Sequence, residues 1–225
     1  YDRFAKEAQA ICKDRVYTDR LRRYAYGVDA SCYSYLPKVV VKAENESEVR
    51  HLIRLCQQCG TPFTFRAAGS SLSGQCSSED VLIVCNDGFK KMEVIDDGKA
   101  LRCECGVIGS DANDLLKPYN RKIGPDPATL ATALVGGILN NNSSGMCCGT
   151  AQNSYKTIRS IRVVLLDGSI LDTSDKKSID QFLKEKPQMV EDILQLRKEI
   201  LADEELTHLI HHKYKIKNTT GYGLN

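Results

Sequence analysis

Long apolar runs are missing from this 225-residue chain. None approaches the ~20 residues that cross a bilayer as a helix, and no basic segment followed by an apolar one opens the chain as an export signal would. Charge of one sign is missing too: 31 Lys and Arg stand against 29 Asp and Glu, a net charge of +2. That balance gives no electrostatic footprint for nucleic acid or an acidic membrane surface. No Gly-Lys-Ser/Thr follows the small-residue loop near residue 70, and the loop does not spell Gly-x-Gly-x-x-Gly. A Walker A site and a dinucleotide fingerprint are therefore excluded. Internal repeats and low-complexity tracts are absent. Tyr1 stands where an initiator Met would, which points to a processed or excised piece of a longer protein.

Cysteine is abundant, with ten residues, but the spacing of a metal site is lacking. Cys56 and Cys59 form one CxxC inside a helical pattern, whereas a zinc ribbon wants two such pairs about 15–20 residues apart. Cys103 and Cys105 alternate on a predicted strand, and Cys147 and Cys148 are adjacent. The expectation is free thiols in a reducing cytosol, behaving as small buried hydrophobes, with no metal bound and a cytoplasmic location. His208, His211 and His212 read as a surface helix end without convergent ligand partners.

With 42% hydrophobic and 27% charged residues, the chain has ample material for a core. Residues 1–36 read as a helical lead-in, with Phe4, Ala8 and Ile11 at helical spacing and four Tyr between 24 and 35 expected to pack. Residues 37–110 open with a β-α-β unit. Val39–Val41 is its first strand. Asn45 and Glu48 form a capping box, and Val49, Leu52, Ile53 and Cys56 share one helix face before Gly60 stops the helix. Phe63–Arg66 is the second strand, parallel to the first, and Val81–Cys85 a buried strand. Residues 111–175 hold a short helix at Asp111–Lys117, a long strand over Ile158–Leu166 and a hairpin at Asp167-Gly168. Residues 176–225 are a Lys/Glu-rich helical connector with an apolar stripe of Met189, Ile193, Leu196, Ile200 and Leu201.

Two loops carry the chemistry. The first, Arg66-Ala67-Ala68-Gly69-Ser70-Ser71-Leu72, follows a strand directly. Small residues there let backbone N–H groups cradle an anion such as a pyrophosphate, although a plain strand-to-loop turn has the same composition. The second, Gly124 to Gly145, contains Pro125-Asp126-Pro127, Thr132, Gly136-Gly137, three Asn ending at Asn142, and Ser143-Ser144-Gly145. Asn runs bury poorly, and a long structureless loop framed by apolar strands is usually functional.

These motifs, in this order, resemble the FAD-linked oxidase family, the vanillyl-alcohol-oxidase-type flavoproteins. The branch is that of D-lactate dehydrogenase, glycolate oxidase and D-2-hydroxyglutarate dehydrogenase. The resemblance runs from about Pro37 through Leu166-Asp167-Gly168 to Lys217-Asn218-Thr219-Thr220-Gly221-Tyr222-Gly223-Leu224. It implies an α+β fold in which a small parallel β-α-β subdomain packs on a mixed or antiparallel sheet subdomain. It implies FAD as cofactor, with Arg66, Ala67, Ala68, Gly69, Ser70, Ser71 and Leu72 on the pyrophosphate. Pro125, Asp126, Thr132, Gly136, Gly137, Asn142, Ser143 and Gly145 would lie along the rest of the cofactor.

The side chain of Arg66 stays open between a charge on the pyrophosphate and a salt bridge that anchors the loop. No His stands in the Gly-rich loop, so the FAD is expected to be noncovalent. The catalytic residues of the family belong to a C-terminal part that follows this stretch. The implied reaction is oxidation of a small-molecule 2-hydroxy acid by hydride transfer to flavin N5, with an electron-acceptor protein or a quinone downstream and room for an iron–sulfur region in a longer protein. A reductase of the same fold that oxidises NADPH, and an interaction module that has lost flavin, are the alternatives.

Overall fold

The computed structural model describes residues 1–216, 223 and 224. The family motif from Lys217 to Tyr222 lies outside the described residues. In chain order the elements are α1 (Asp2–Cys12), β1 (Val16–Tyr17), α2 (Arg20–Ala25), β2 (Val39–Lys42), α3 (Glu46–Cys59), β3 (Phe63–Arg66), β4 (Val81–Val84), β5 (Met92–Ile95), β6 (Ala100–Cys103) and α4 (Gly109–Leu116). They continue with α5 (Val135–Asn140), α6 (Ser154–Thr157), β7 (Arg162–Val164), β8 (Ile170–Asp172), α7 (Lys176–Glu185), α8 (Pro187–Ala202) and α9 (Glu204–Lys213).

The central sheet has the order β1-β2-β4-β3. β2 and β3 both pair with β4 in parallel, Val40 opposite Leu82 and Thr64 opposite Leu82. The two strands of the β-α-β unit are thus parallel, as the sequence predicts, but β4 lies between them. β4 is buried on both faces, as an all-apolar strand in a parallel sheet must be. One face packs on α1 and α3, where Phe4, Ala8, Cys12, Leu52, Ile53 and Cys56 meet Val39, Val41, Val81 and Ile83.

The antiparallel edge strand β1 pairs with β2 and has no counterpart in the sequence reading. Two residues cannot carry a periodic signal, and pairing supplied it. Asn45 caps α3 by accepting from the Glu48 N–H at 3.0 Å, while Glu48 reaches back one residue further than expected, to the Glu44 N–H at 2.9 Å. Gly60 ends the helix in the left-handed region at φ 61.

The antiparallel part is two separate ribbons, β5-β6 and β7-β8. The expected long strand over Ile158–Leu166 shrinks to the three residues of β7. The one-turn α6 precedes it, and its end at Ile158 donates to the Ser154 carbonyl, so the chain enters the strand late. The Asp167-Gly168 hairpin stands where expected, with Gly168 at φ 75. Cys105 falls beyond β6, and it is Cys103 alone that lies on the strand.

All ten cysteines are free thiols, but burial varies: Cys12, Cys56 and Cys148 are buried and Cys32, Cys105 and Cys147 exposed. Residues 176–213 form three helices, with breaks at Lys186 and Asp203. Their apolar stripe is uncovered, Ile193 being 56% and Leu196 55% exposed. No helix is long and apolar enough to cross a membrane among the described residues.

Candidate functional site

Strand β3 delivers the first loop to the carboxyl end of the parallel sheet, where open α/β sheets bind ligands. The Arg66 carbonyl accepts from Cys85 N–H at 2.9 Å, and the chain then leaves the sheet. Gly69 and Gly74 take left-handed φ values of +76° and +73°, a conformation that a side chain strains. Ser71 Oγ donates to Gln75 Oε1 and accepts from Ser73 N–H at 3.2 Å. Among the described residues, the N–H groups of Ala68, Gly69, Ser70 and Leu72 donate to no protein acceptor. A run of small residues with unclaimed N–H groups is what an anion cradle requires. Leu72 itself is 80% exposed.

The guanidinium of Arg66 is turned back onto the segment before β2. Its Nη1 donates to the Tyr26 carbonyl at 3.1 Å and its Nη2 to the Val28 carbonyl at 2.8 Å. It also lies 5.8 Å from the Tyr26 ring centroid. It anchors the loop, but through carbonyls of the lead-in segment instead of a salt bridge.

The second loop is organised around Asp126. One carboxylate oxygen accepts from the N–H groups of Gly145 at 3.1 Å and Cys148 at 3.0 Å, and the other from Cys147 N–H at 3.1 Å. Hydrogen bonding to the Cys148 side chain, and then to the Cys148 and Cys147 backbone, holds this carboxyl well below the usual carboxylate range. A Cβ on Gly145 would stand 1.8 Å from the Asp126 carbonyl oxygen, so only glycine lets these two strands of the loop touch.

Asn142 sits at φ 44, and its side-chain oxygen accepts from Tyr155 N–H at 3.1 Å. Ser143 N–H donates to the Ile138 carbonyl at 2.8 Å. Pro125 is buried, while Thr132 is exposed and donates from Oγ1 to the Thr129 carbonyl at 3.2 Å. Gly136 N–H donates to the Cys105 carbonyl at 2.9 Å, and a Cβ there would come within 2.6 Å of Cys105 Cβ.

The fold brings the two loops together. A Cβ on Gly137 would lie 3.4 Å from Ala67 Cβ, and Gln75 Nε2 donates to Asn141 Oδ1 at 3.2 Å. Ala67 and Gly137 are thus neighbours, and the cradle faces the Asn-rich loop. The FAD binding domain family matches residues 37–174, more than half the chain and both loops.

The chain belongs to the FAD binding domain family.

Relatives agree. It is 30% identical over 161 residues to the D-2-hydroxyglutarate dehydrogenase of Escherichia coli strain K12, covering 70% of this chain and 16% of that protein. It is 26% identical to the glycolate oxidase subunit GlcD of Bacillus subtilis strain 168, over 70% of this chain and 34% of that one. Among solved structures, an alkyldihydroxyacetonephosphate synthase superimposes with a TM-score of 0.64 at 21% identity, over 79% of this chain and 35% of the other. The chain therefore spans between about a sixth and a third of the length of these proteins.

The residues of this FAD binding domain fit the cofactor. FAD carries a diphosphate, which the unclaimed N–H groups of the first loop suit, and the small Ala67 and Gly137 set the separation of the two loop backbones. Residues that the sequence reading passed over also belong here. Gln75 ties the loops, and Cys105 receives α5. Ser154 donates from Oγ to the Ile138 carbonyl at 3.3 Å, and Asp29 reaches the first loop from the lead-in. Among the described residues, Asn86 Oδ1, just beyond β4, is buried with no partner. Only Gln75 had a signal, as the residue that closes the small-residue run; the others are paired by the fold.

Burial pushes the Cys85 thiol up to about 12 and raises that of Cys103, so neither is a ready nucleophile at neutral pH. No group of three or more His, Cys, Asp or Glu able to hold a metal occurs among the described residues. An apolar groove of about 600 Å³, lined by Pro62, Phe63, Phe65 and Leu166, shares no residue with either loop.

Proposed function

We propose that this domain holds FAD noncovalently within a larger dehydrogenase or oxidase that acts on a 2-hydroxy acid of the D-lactate, glycolate or D-2-hydroxyglutarate kind. The observation that carries the reading is the row of unclaimed N–H groups at Ala68, Gly69, Ser70 and Leu72, closed by the Asn-rich loop. The stretch from Arg66 to Leu72 takes the pyrophosphate, mainly through its backbone. Pro125, Asp126, Thr132, Gly136, Gly137, Asn142, Ser143 and Gly145 line the remainder, with Asp126 and Asn142 acting by holding backbone in place. When bound, the flavin supplies hydride-accepting chemistry at N5, while the protein binds and orients it. No base for the hydroxyl proton is assigned to this chain.

The noncovalent reading rests on the His positions. His51 lies on α3 and the other three on α9, none of them in either loop. In the same reading, residues 37–110 and 111–175 are the two halves of the FAD unit, residues 1–36 lead in, and residues 176–225 connect onward. The location is cytoplasmic, the electron acceptor is a protein or quinone, and any iron–sulfur region lies outside these residues.

A visible spectrum before and after heat denaturation tests the proposal. Bands at ~370 and ~450 nm, with the colour released to the supernatant, are expected. Colour that stays in the pellet overturns noncovalent binding. A protein that stays colourless with added FAD overturns the cofactor reading. Bleaching of the full-length protein by a 2-hydroxy acid, and not by NADPH, tests the substrate class.

A further inference from the structure

The lead-in segment Gly27–Pro37 lies over the first loop as a strap. It is folded on itself by a Tyr35 N–H to Gly27 carbonyl bond at 2.8 Å and by a bridge between Val28 and Ser34. Gly27 is needed there, because a Cβ would meet the Tyr35 carbonyl oxygen at 2.4 Å. The strap touches the loop and the residues just after it at four places. Arg66 donates to the Tyr26 carbonyl just before it and to the Val28 carbonyl within it. Ala30 N–H donates to the Gly69 carbonyl at 3.1 Å. The Cys76 thiol donates to Asp29 Oδ2 at 3.3 Å. The Tyr33 ring lies against Gly74, where a Cβ would come within 2.7 Å of it.

One of these contacts reaches the cradle directly. In a planar trans peptide the C=O and the following N–H point in opposite directions. With the Gly69 carbonyl drawn to Ala30, the Ser70 N–H is turned away from the strap and left unclaimed. The guanidinium of Arg66 also packs under Gly69, since a Cβ on that glycine would meet it at 2.3 Å. Asp29 is anchored in turn by accepting from Ser31 N–H at 2.8 Å.

Resting on the FAD reading above, we propose that the strap is the positioning element of the pyrophosphate cradle, with Arg66 and Asp29 as its positioning residues. The Arg66 side chain acts through the Val28 carbonyl of the strap and the Tyr26 carbonyl just before it, and not as a charge on the phosphate. Asp29 does the same work from the other side, carrying the opposite charge.

The opposite charges make the idea testable in the protein that carries this chain. FAD affinity is read by quenching of flavin fluorescence, and backbone hydrogen exchange of Gly27, Ala30 and Tyr35 is read without flavin. Arg66→Ala is expected to weaken FAD by about tenfold or more, the loss of two hydrogen bonds from a charged donor. It should also speed exchange of the strap by about tenfold. Arg66→Lys should behave like Arg66→Ala, because one ammonium cannot reproduce the planar fork across two carbonyls.

Asp29→Asn is the decisive variant. Removing a negative charge near an anion tightens binding if charge alone matters, whereas the strap predicts several-fold weaker binding with faster exchange. Tighter FAD binding by Asp29→Asn, or full rescue by Arg66→Lys with an unchanged strap, overturns the proposal. So does a strap that stays protected in Arg66→Ala, whether or not flavin is present. A wild-type protein that takes up no FAD instead defeats the cofactor reading, so the two failures are distinguishable.

Discussion

The two halves of the candidate site are held together by different physics. On the β3 side, the loop grows out of a sheet whose strands and helices bury Val41, Leu52, Ile53, Val81 and Ile83 almost completely. Burial of that kind is non-directional, scales with area and tolerates small shifts. On the Asn-rich side, the backbone is held by single polar groups: Asp126 on three N–H groups and Asn142 on one. Hydrogen bonds are directional, so that loop is exact only while each partner is present. A flavin site needs both: a rigid platform to carry the cradle and a closely fitted backbone to face it.

The sharpest way to break the contrast is to attack the platform. Ile83→Ala, in the centre of the sheet, should cost about 2–5 kcal/mol in chemical denaturation, because it leaves a cavity that the packed strands cannot collapse. Survival of this variant with wild-type stability would show that the sheet is not the platform. Gly145→Ala should cost less in global stability, about 1–3 kcal/mol of local overpacking, yet FAD affinity should fall by a similar free energy, about tenfold to a hundredfold. Equal losses of FAD affinity and of global unfolding free energy in both variants would erase the distinction between the halves.

Acid separates them next. Hydrogen bonds depress the Asp126 carboxyl in the folded loop, so its contribution is complete above the unfolded Asp value of about 3.9 and is lost as pH falls through the lower folded value. The amides of Gly145, Cys147 and Cys148 should therefore stay protected from neutral pH down to about 4, and Asp126→Asn should leave them fast-exchanging across that whole range. Loss of protection near pH 6 in the wild type would mean that another group holds the loop. The smallest effect belongs to the connector. Leu196→Gln, on a stripe that is already exposed, should change the stability of these 225 residues by less than about 0.5 kcal/mol. A larger loss would mean that α8 is packed in solution.

Much of the platform was readable from residue order alone. Val39–Val41, the face of α3, the Gly60 stop and the all-apolar Val81–Val84 are local patterns, and each element forms where its pattern stands. Misreadings occurred where local pattern carries no information about pairing. The two-residue β1 exists because β2 offers it an edge. The apolar run after Ile158 looks like one long strand until α6 takes up its approach. Strand order is also invisible to periodicity, since β4 comes after β3 in the chain yet inserts between β2 and β3.

Site chemistry divides the same way. The composition of the two loops, rich in Gly, Ser and Asn and poor in anything that packs, marked them as functional. The partners did not show. Asp126 reaches residues about twenty positions later, Gln75 reaches Asn141, and Arg66 reaches back about forty positions to Tyr26 and Val28.

By itself, the sequence determined the elements with strong periodicity, the places where the backbone must be small, and the family to which the ordered motifs belong. All of these depend on neighbours within a helix turn, a strand or a tight loop. Only the tertiary structure decided which carbonyl each guanidinium finds, which amides Asp126 gathers, and which loop amides lack an acceptor among the described residues. Those outcomes depend on distances between residues far apart in the chain, and such distances exist only after the hydrophobic sheet has brought the segments together.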